Sequence, residues 1–279
     1  MSRLFDRRWA VTIGTVEFTT LDCDFTVTKT IKPEPNVCDL TVYNLSREHQ
    51  AELEELRPRD KQATTGIPCR IEAGYADPGP QLIWLGDLRT IETVREGPDW
   101  VTHATSGDGE RGWQNGKLHV SYGPKTPIET ALRAIARELG VAPGNLSKVV
   151  QALKIAGASM FPAGKVFSGS ASRALTDFAR SADLEVSIQD GALQFVDRGK
   201  ALAGEALRLS SETGLIGSPT VDNEGVMTCN VLMIPDVRVG SVVVLDAARV
   251  KGAYRIEQAT WTGSTSGDDW GIELKGKRY

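Results

Sequence analysis

Apolar and polar residues alternate through the first third of the chain. Val11, Ile13, Val16 and Phe18 fall on every second position either side of Gly14, Phe25 and Val27 resume the pattern, and Leu40 and Val42 share one face of the next run. A period of two marks half-buried strands, so a hairpin and two further strands are predicted. The period then lengthens. Ser46 stands as an N-cap before a run with early acidic residues, Leu53 and Leu56 are three apart, and Pro58 closes it, which predicts a short amphipathic helix over 46–56 outside a sheet. Alternation returns at 69–75, 82–85, 88–94 and 100–105, with turn residues at 77–80 and 96–99.

Past Gly123 the apolar spacing becomes helical. Thr126, Pro127, Ile128 and Glu129 read as a capping box with Pro at the first helical position, followed by Ile128, Ala131, Leu132, Ile135 and Leu139 on one stripe up to Gly140. A second helix is predicted over 172–182, with Leu175, Phe178, Ala179 and Ala182 aligned. Two strands at 184–188 and 192–196 then flank Asp190 and Gly191, a pair that favours a two-residue hairpin turn. From residue 200 strands dominate again, at 227–233, 241–245, 253–262 and 270–274, with turns at Pro235 and Asp236 and at 266–269. The expected division is 1–122 and 200–279 as two β units around a small α+β module at 123–199. Gly86 to Glu92 followed by Asp99 and Trp100 is echoed by Gly252 to Glu257 followed by Asp269 and Trp270. Internal duplication and a chance likeness of two hairpins both account for that echo.

Composition agrees with a folded β-rich protein. The 279 residues are 41% hydrophobic and 24% charged, which excludes disorder, collagen and coiled coil and suits about two domains at roughly 150 residues each. A net charge of −4 excludes a protein that coats nucleic acid through its overall charge. No signal-peptide pattern follows Arg3, Arg7 and Arg8, and the best apolar run, 242–245, is strand-sized, so a soluble protein is expected. Cys23, Cys38, Cys69 and Cys229 lack metal-ligand spacing and read as buried free thiols in a reducing cytoplasm.

Candidate chemistry is thin. Gly107, Gly109 and Gly112 match G-x-G-x-x-G, but Asp108 and Glu110 would meet phosphate oxygens, and the residues after Gly112 read as a strand rather than the helix a phosphate needs. His49, His103 and His119 have no zinc spacing, and no nucleophile elbow surrounds Ser168 or Ser170. The adjacent carboxylates Glu54 and Glu55, and Asp268 and Asp269, read as solvated surface. No enzyme activity, metal or other cofactor is expected. Charge does divide along the chain, at −5 for 1–122, +2 for 123–199 and −1 for 200–279.

The order of elements carries more than any site. The run from Cys38 to Asn44, Leu45 and Ser46 entering a helix, then Ala73, Gly74 and Tyr75, Gly86 and Asp87, and Ser106 to Glu110, resembles the first domain of phage baseplate hub proteins. Residues 127–139 and 171–195 are similar to the small module of those hubs, and 213–219, 254–257 and Trp270 continue the likeness over nearly the whole chain. The resemblance implies a β-rich α+β fold with two tail-tube-like β-barrel domains and an inserted module. It also implies a homotrimeric ring in the tail baseplate of a virion, assembled in the host cytoplasm. Its partners would be the hexameric tail tube or a distal tail protein, the central spike and the tape measure protein, with double-stranded DNA passing through an acidic lumen without specific binding. The helix carrying Ser46, Leu53 and Leu56 is a candidate subunit contact, or else plugs its own unit. A tailocin or injection particle fits the same architecture. A cell-wall glycan-binding module, from the helix, helix and hairpin of the middle segment, is the reading from another class; it would need exposed aromatic platforms, and that segment contains only Phe161, Phe167, Phe178 and Phe195, with no Trp or Tyr.

Overall fold

A computed structural model describes residues 6–56, 66–234 and 236–279, so Arg3, Pro58 and Pro235 lie outside the described residues. The first segment forms β1 (Arg7–Ile13), β2 (Val16–Phe18), β3 (Cys23–Thr30), β4 (Val37–Tyr43), α1 (Arg47–Glu55), β5 (Pro68–Tyr75), β6 (Gly79–Glu96) and β7 (Asp99–Gly107). The runs expected at 82–85 and 88–94 are one long strand. Its first half pairs with β5 and its second with β7, and it bends where Arg89 is left without a partner between the pairs Leu88–Ser106 and Thr90–Thr105.

The middle of the chain forms α2 (Glu110–Asn115), β8 (Lys117–Tyr122), α3 (Ile128–Glu138), α4 (Leu146–Ile155), β9 (Lys165–Ser170), α5 (Ala171–Ser181), β10 (Leu184–Gln189) and β11 (Ala192–Asp197). Two helices and a hairpin were expected past residue 123 and a strand before it, so α2, α4 and β9 are additions. The expected capping box does not form. Pro127 is the N-cap of α3, and the Thr126 hydroxyl donates backwards to the Gly123 carbonyl at 2.8 Å. By contrast Ser170 caps α5, accepting from the Arg173 amide at 3.2 Å. Leu132, Ile135, Leu139, Leu146, Leu175, Ile188 and Leu193 are fully buried in a core of their own, which begins at Leu118.

The last segment forms β12 (Leu207–Leu209), β13 (Leu215–Val221), β14 (Val226–Leu232), β15 (Val242–Asp246), β16 (Lys251–Ser264) and β17 (Trp270–Arg278). The first and last segments share a single sheet of 13 strands in the order β13-β14-β17-β16-β3-β4-β7-β6-β5-β1-β2, with β15 joining at β16 and β12 at β15. The joint is the antiparallel pairing of β3 with β16, from Asp24 opposite Ser264 to Thr30 opposite Gln258. The two expected barrels are therefore not closed by strand pairing among the described residues. β3 spends one edge on β16, and the path through the sheet ends at β13 and β2 without joining them. One core serves both segments: Val11, Ile71 and Trp84 belong to the same buried cluster as Val243, Ile256 and Leu274.

Candidate functional site

The module meets the sheet at the tip of the β10–β11 hairpin. Asp190 and Gly191 both have positive φ, 52° and 76°, the backbone of a type I′ turn that the Asp-Gly pair favours. The tip enters beside the β3–β16 joint. Lys29, on the same face of β3 as Cys23, Phe25 and Val27, is 5% exposed, and its Nζ donates to both carboxylate oxygens of Asp190 at 2.5 and 2.6 Å. The same Nζ lies 5.2 Å from the ring centroid of Trp261 on β16. A buried ammonium without such a partner would be strongly unfavourable, so strand, hairpin and second segment are tied at one atom.

Below the tip, the fully buried Asp108 carboxylate accepts the Asp190 amide at 2.7 Å and the Gly191 amide at 2.8 Å. Burial pushes the Asp108 carboxyl up to about 7. The Asp190 charge acts in the same direction, while the two amides and Lys29 oppose it. Asn36 completes the contact: its carbonyl accepts from the Thr30 amide at 2.8 Å, and its NH₂ donates to the Ile188 carbonyl at 2.7 Å. Two arginines reach out from the long strands. Arg89, the unpaired residue of β6, meets Glu110, and the buried Arg255 of β16 meets Glu185. A cleft of about 390 Å³ beside the tip is lined by Lys29, Gln189, Asp190, Gln194, Arg238 and Trp261. Its buried charges satisfy one another, so the arrangement acts as a joint that fixes the module against the sheet.

The residues singled out in the sequence are not gathered here. Ser46 caps α1, accepting from the His49 amide at 3.2 Å; Leu53 is 1% exposed in the chain's own core, and Leu56 packs against that core. The outward face of α1 carries Glu48, Glu54 and Glu55. The G-x-G-x-x-G stretch runs into the six-residue helix α2, and the strand expected after it begins later, as β8. Gly109 turns the chain at φ 63°, and a Cβ on Gly112 would stand 1.9 Å from the Leu139 carbonyl oxygen, so these glycines serve a turn and a close packing contact. The Asp108 carboxylate is engaged with the hairpin amides of Asp190 and Gly191.

His49, His103 and His119 lie on α1, β7 and β8, as expected, and no group of three or more metal-ligating side chains occurs among the described residues. Ser168 Oγ is 3.3 Å from His119 Nδ1, and among the described residues no carboxylate is bonded to that ring. All four cysteines are buried and free. Burial raises Cys23 and Cys69 to about 12 and Cys229 to about 11, which keeps these thiols protonated and inert. Asp268 serves through its backbone. Arg7 donates to the carbonyls of Ser264, Gly267 and Asp268 at 2.8, 2.6 and 3.2 Å and stacks 5.3 Å from Trp270, tying β1 to the β16–β17 turn. No described helix is long and apolar enough to cross a membrane.

Of the joint residues, Lys29 was detectable in sequence, since the period of two puts it on the inward face of β3. Asn36 and Asp108 were not, because their partners lie about 150 and about 80 positions away.

A family model described as Baseplate hub gp41 matches residues 11–267. No curated protein matches the sequence. Among solved structures, the chain is similar to a tail protein from Neisseria meningitidis MC58, with TM-score 0.65 and 11% identity over 98% of this chain and 97% of that one. It is also similar to a 43 kDa tail protein of prophage MuSo2 from Shewanella oneidensis, with TM-score 0.63 and 9% identity over 97% and 98%. The E. coli c3393 protein, a component of the type VI secretion system described as similar to T4 bacteriophage tail proteins gp27 and gp5, gives TM-score 0.54 and 9% identity over 96% of this chain and 76% of that one.

Proposed function

The chain belongs to the baseplate hub gp41 family, and from that premise we propose that it is the structural hub of a phage tail, three copies forming a ring between the hexameric tail tube and the central spike. The observation that carries this reading is the repetition inside one subunit. β6–β7 and β16–β17 are both long antiparallel hairpins broken by a single register shift, at Arg89 and at Glu257. Each long strand also carries one ion-paired arginine near its register shift, Arg89 with Glu110 and Arg255 with Glu185 of the middle module. Two related β units in each of three subunits give six similar units, which suits contact with a sixfold tube on one side and a threefold spike on the other.

In this reading each unit corresponds to one tail-tube-like domain, 1–122 and 200–279, with 123–199 inserted between them, and closure of the ring supplies the strand or helix contacts that one subunit leaves open. Because Leu53 and Leu56 turn inward, α1 would meet a neighbour through its outward acidic face. The −5 charge of residues 1–122 suits a channel wall that repels DNA phosphates. The tape measure protein, ending at the hub, is a further partner. The protein acts in the virion baseplate after assembly in the host cytoplasm, and it has no hydrolase activity of its own. The likeness to a type VI secretion component favours a second reading, in which the same ring belongs to a phage-derived injection particle that carries no genome.

Native mass spectrometry of the purified protein, with negative-stain images of the same sample, tests the proposal. Trimers with a central hole are expected, alone or on addition of the tail-tube protein; a chain that stays monomeric in both conditions would overturn it. A turbidity assay on peptidoglycan should show no clearing.

A further inference from the structure

The middle module and the sheet meet without sharing a core. Leu132, Leu175 and Ile188 belong to one buried cluster, and Val27, Trp84 and Trp261 to another. Among the described residues, broad packing of one element on another falls within the module or within the sheet, and none joins the two. What lies between them is polar. Lys29, Asn36, Asp108 and Arg255, four of the seven buried polar or charged side chains among the described residues, all bond across this seam. Gln189 and Gln194 reach back from the module to the carbonyls of Thr30 and Val239 at 2.8 and 2.9 Å. A polar interface lets the bodies it joins move, because charges that separate regain from water much of what they gain from each other. Both chain connections allow such movement. Asp108 and Gly109 join β7 to α2, with Gly109 at φ 63°, and residues 198–206 join β11 to β12 without a helix or strand, carrying Gly199 at φ 72° and Gly204.

We propose that the module is an arm that swings out from the sheet as one body, hinged at these two connections, and that Lys29, Asp108 and Asp190 form the latch that holds it in. The latch is concentrated at one turn. The Asp190 carboxylate sits on Lys29 while the Asp190 and Gly191 amides sit on Asp108, so withdrawing the hairpin tip breaks both contacts together. Neither hydrophobic core opens in that movement. It uncovers Lys29 and Arg255, two cations that the docked arm neutralises with Asp190 and Glu185, and so changes the charge of the sheet face. Asp108 couples the latch to acidity. The charged groups around it are Asp190 of the hairpin and Lys29 of β3, with the Arg89–Glu110 pair packed on the neighbouring Gly107. Its carboxyl is held at about 7 in the docked arm and returns to the ordinary carboxylate range once hydrated. The docked state therefore binds the proton more tightly, and rising pH favours release. The inference stands apart from the assembly state proposed above.

Two measurements on the full chain test this. In native-state hydrogen exchange, corrected for intrinsic rates, the opening constant of the Asp190 and Gly191 amides should rise about tenfold between pH 6 and pH 8, while those of α3 and α5 stay level. Nitroxides at Glu17→Cys and Lys148→Cys then report the distance between sheet and module by electron–electron resonance. Both positions are exposed, and the buried native thiols leave them to be labelled selectively. One distance is expected in the otherwise unchanged chain at pH 6. In Asp190→Asn, whose stranded Lys29 favours release, a second distance should appear, with an open fraction at least tenfold greater. A single unchanged distance in Asp190→Asn would overturn the proposal, as would tip opening that is indifferent to pH. Loss of protection in α3 and α5 together with the tip would overturn it too, because the module would then be unfolding rather than swinging. The exchange measurement needs no substitution, so it decides the matter should Asp190→Asn fail to fold.

Discussion

At Asp108 burial and hydrogen bonding act in opposite directions on one carboxyl. Its pKa in the folded chain is about 7, against roughly 3.9 for an unfolded aspartate. The folded state therefore binds the extra proton between those values. The stability this group contributes is present in full below about pH 4 and is lost as pH rises towards 7. Asp108→Asn fixes the group in a neutral form that, like the protonated acid, offers one acceptor and one donor to the two hairpin amides and cannot ionise. Urea midpoints of both proteins from pH 4.5 to 7.5 should show the unsubstituted protein losing stability relative to the variant as pH rises; a difference that does not change with pH would refute the assignment.

The Lys29–Asp190 pair gives a sharper prediction, because its members differ in exposure. The Lys29 side chain is 6% exposed and that of Asp190 31%. Asp190→Asn keeps the left-handed turn but strands a buried ammonium and should cost about 3 kcal/mol. Lys29→Met leaves a carboxylate that water can reach and should cost about 1 kcal/mol or less. Equal losses in equilibrium unfolding would show that Lys29 finds another partner. The inward position of Lys29 could be read from the sequence, as could the turn at Asp190. Their meeting could not, because nothing local links residues 161 positions apart.

Elements were readable in proportion to the regularity of their pattern. α3 and α5 carry unbroken apolar stripes, and the β10–β11 hairpin has both alternation and turn chemistry. Leu146, Val149, Val150 and Leu153 also keep helical spacing, yet α4 lacks a capping side chain and its last turn leaves Ile155 84% exposed, which blurs the stripe. α2 is six residues long with glycine on either side, too short for periodicity to register. β9 has no alternation to detect, because Phe167 is its one buried side chain and Lys165, Val166, Ser168 and Ser170 are exposed. The Arg7 contact with the β16–β17 turn belongs to this scale as well. Arg7→Ala removes three hydrogen bonds from the 264–268 backbone, so amide exchange there should quicken at least severalfold while β10 and β11 are unaffected. Unchanged exchange at 264–268 would mean that the turn holds itself.

At the scale of the molecule, the changes of periodicity along the chain let strand-rich stretches be told from the helix-bearing stretch between them. They did not convey that the first and last segments share a sheet and a core. Strand faces can be read from alternation, but strand neighbours depend on which edges meet in space, and β3 and β16 alternate in the same way whatever they pair with. Expecting two closed barrels thus assigned to each unit an edge that the fold uses to join them.

The pairing of β3 with β16 also governs how the molecule is made. Residues 24–30 leave the ribosome well over two hundred residues before their partners at 258–264. During that interval the nascent chain presents β3 as an uncovered edge beside apolar side chains, a surface prone to pairing with the wrong strand. Contacts of such long sequence separation slow the search for the native state. The module's core is separate from the one the outer strands share. The strands after the module therefore complete a sheet begun by the first, and a chain interrupted after the module is left with an aggregation-prone edge.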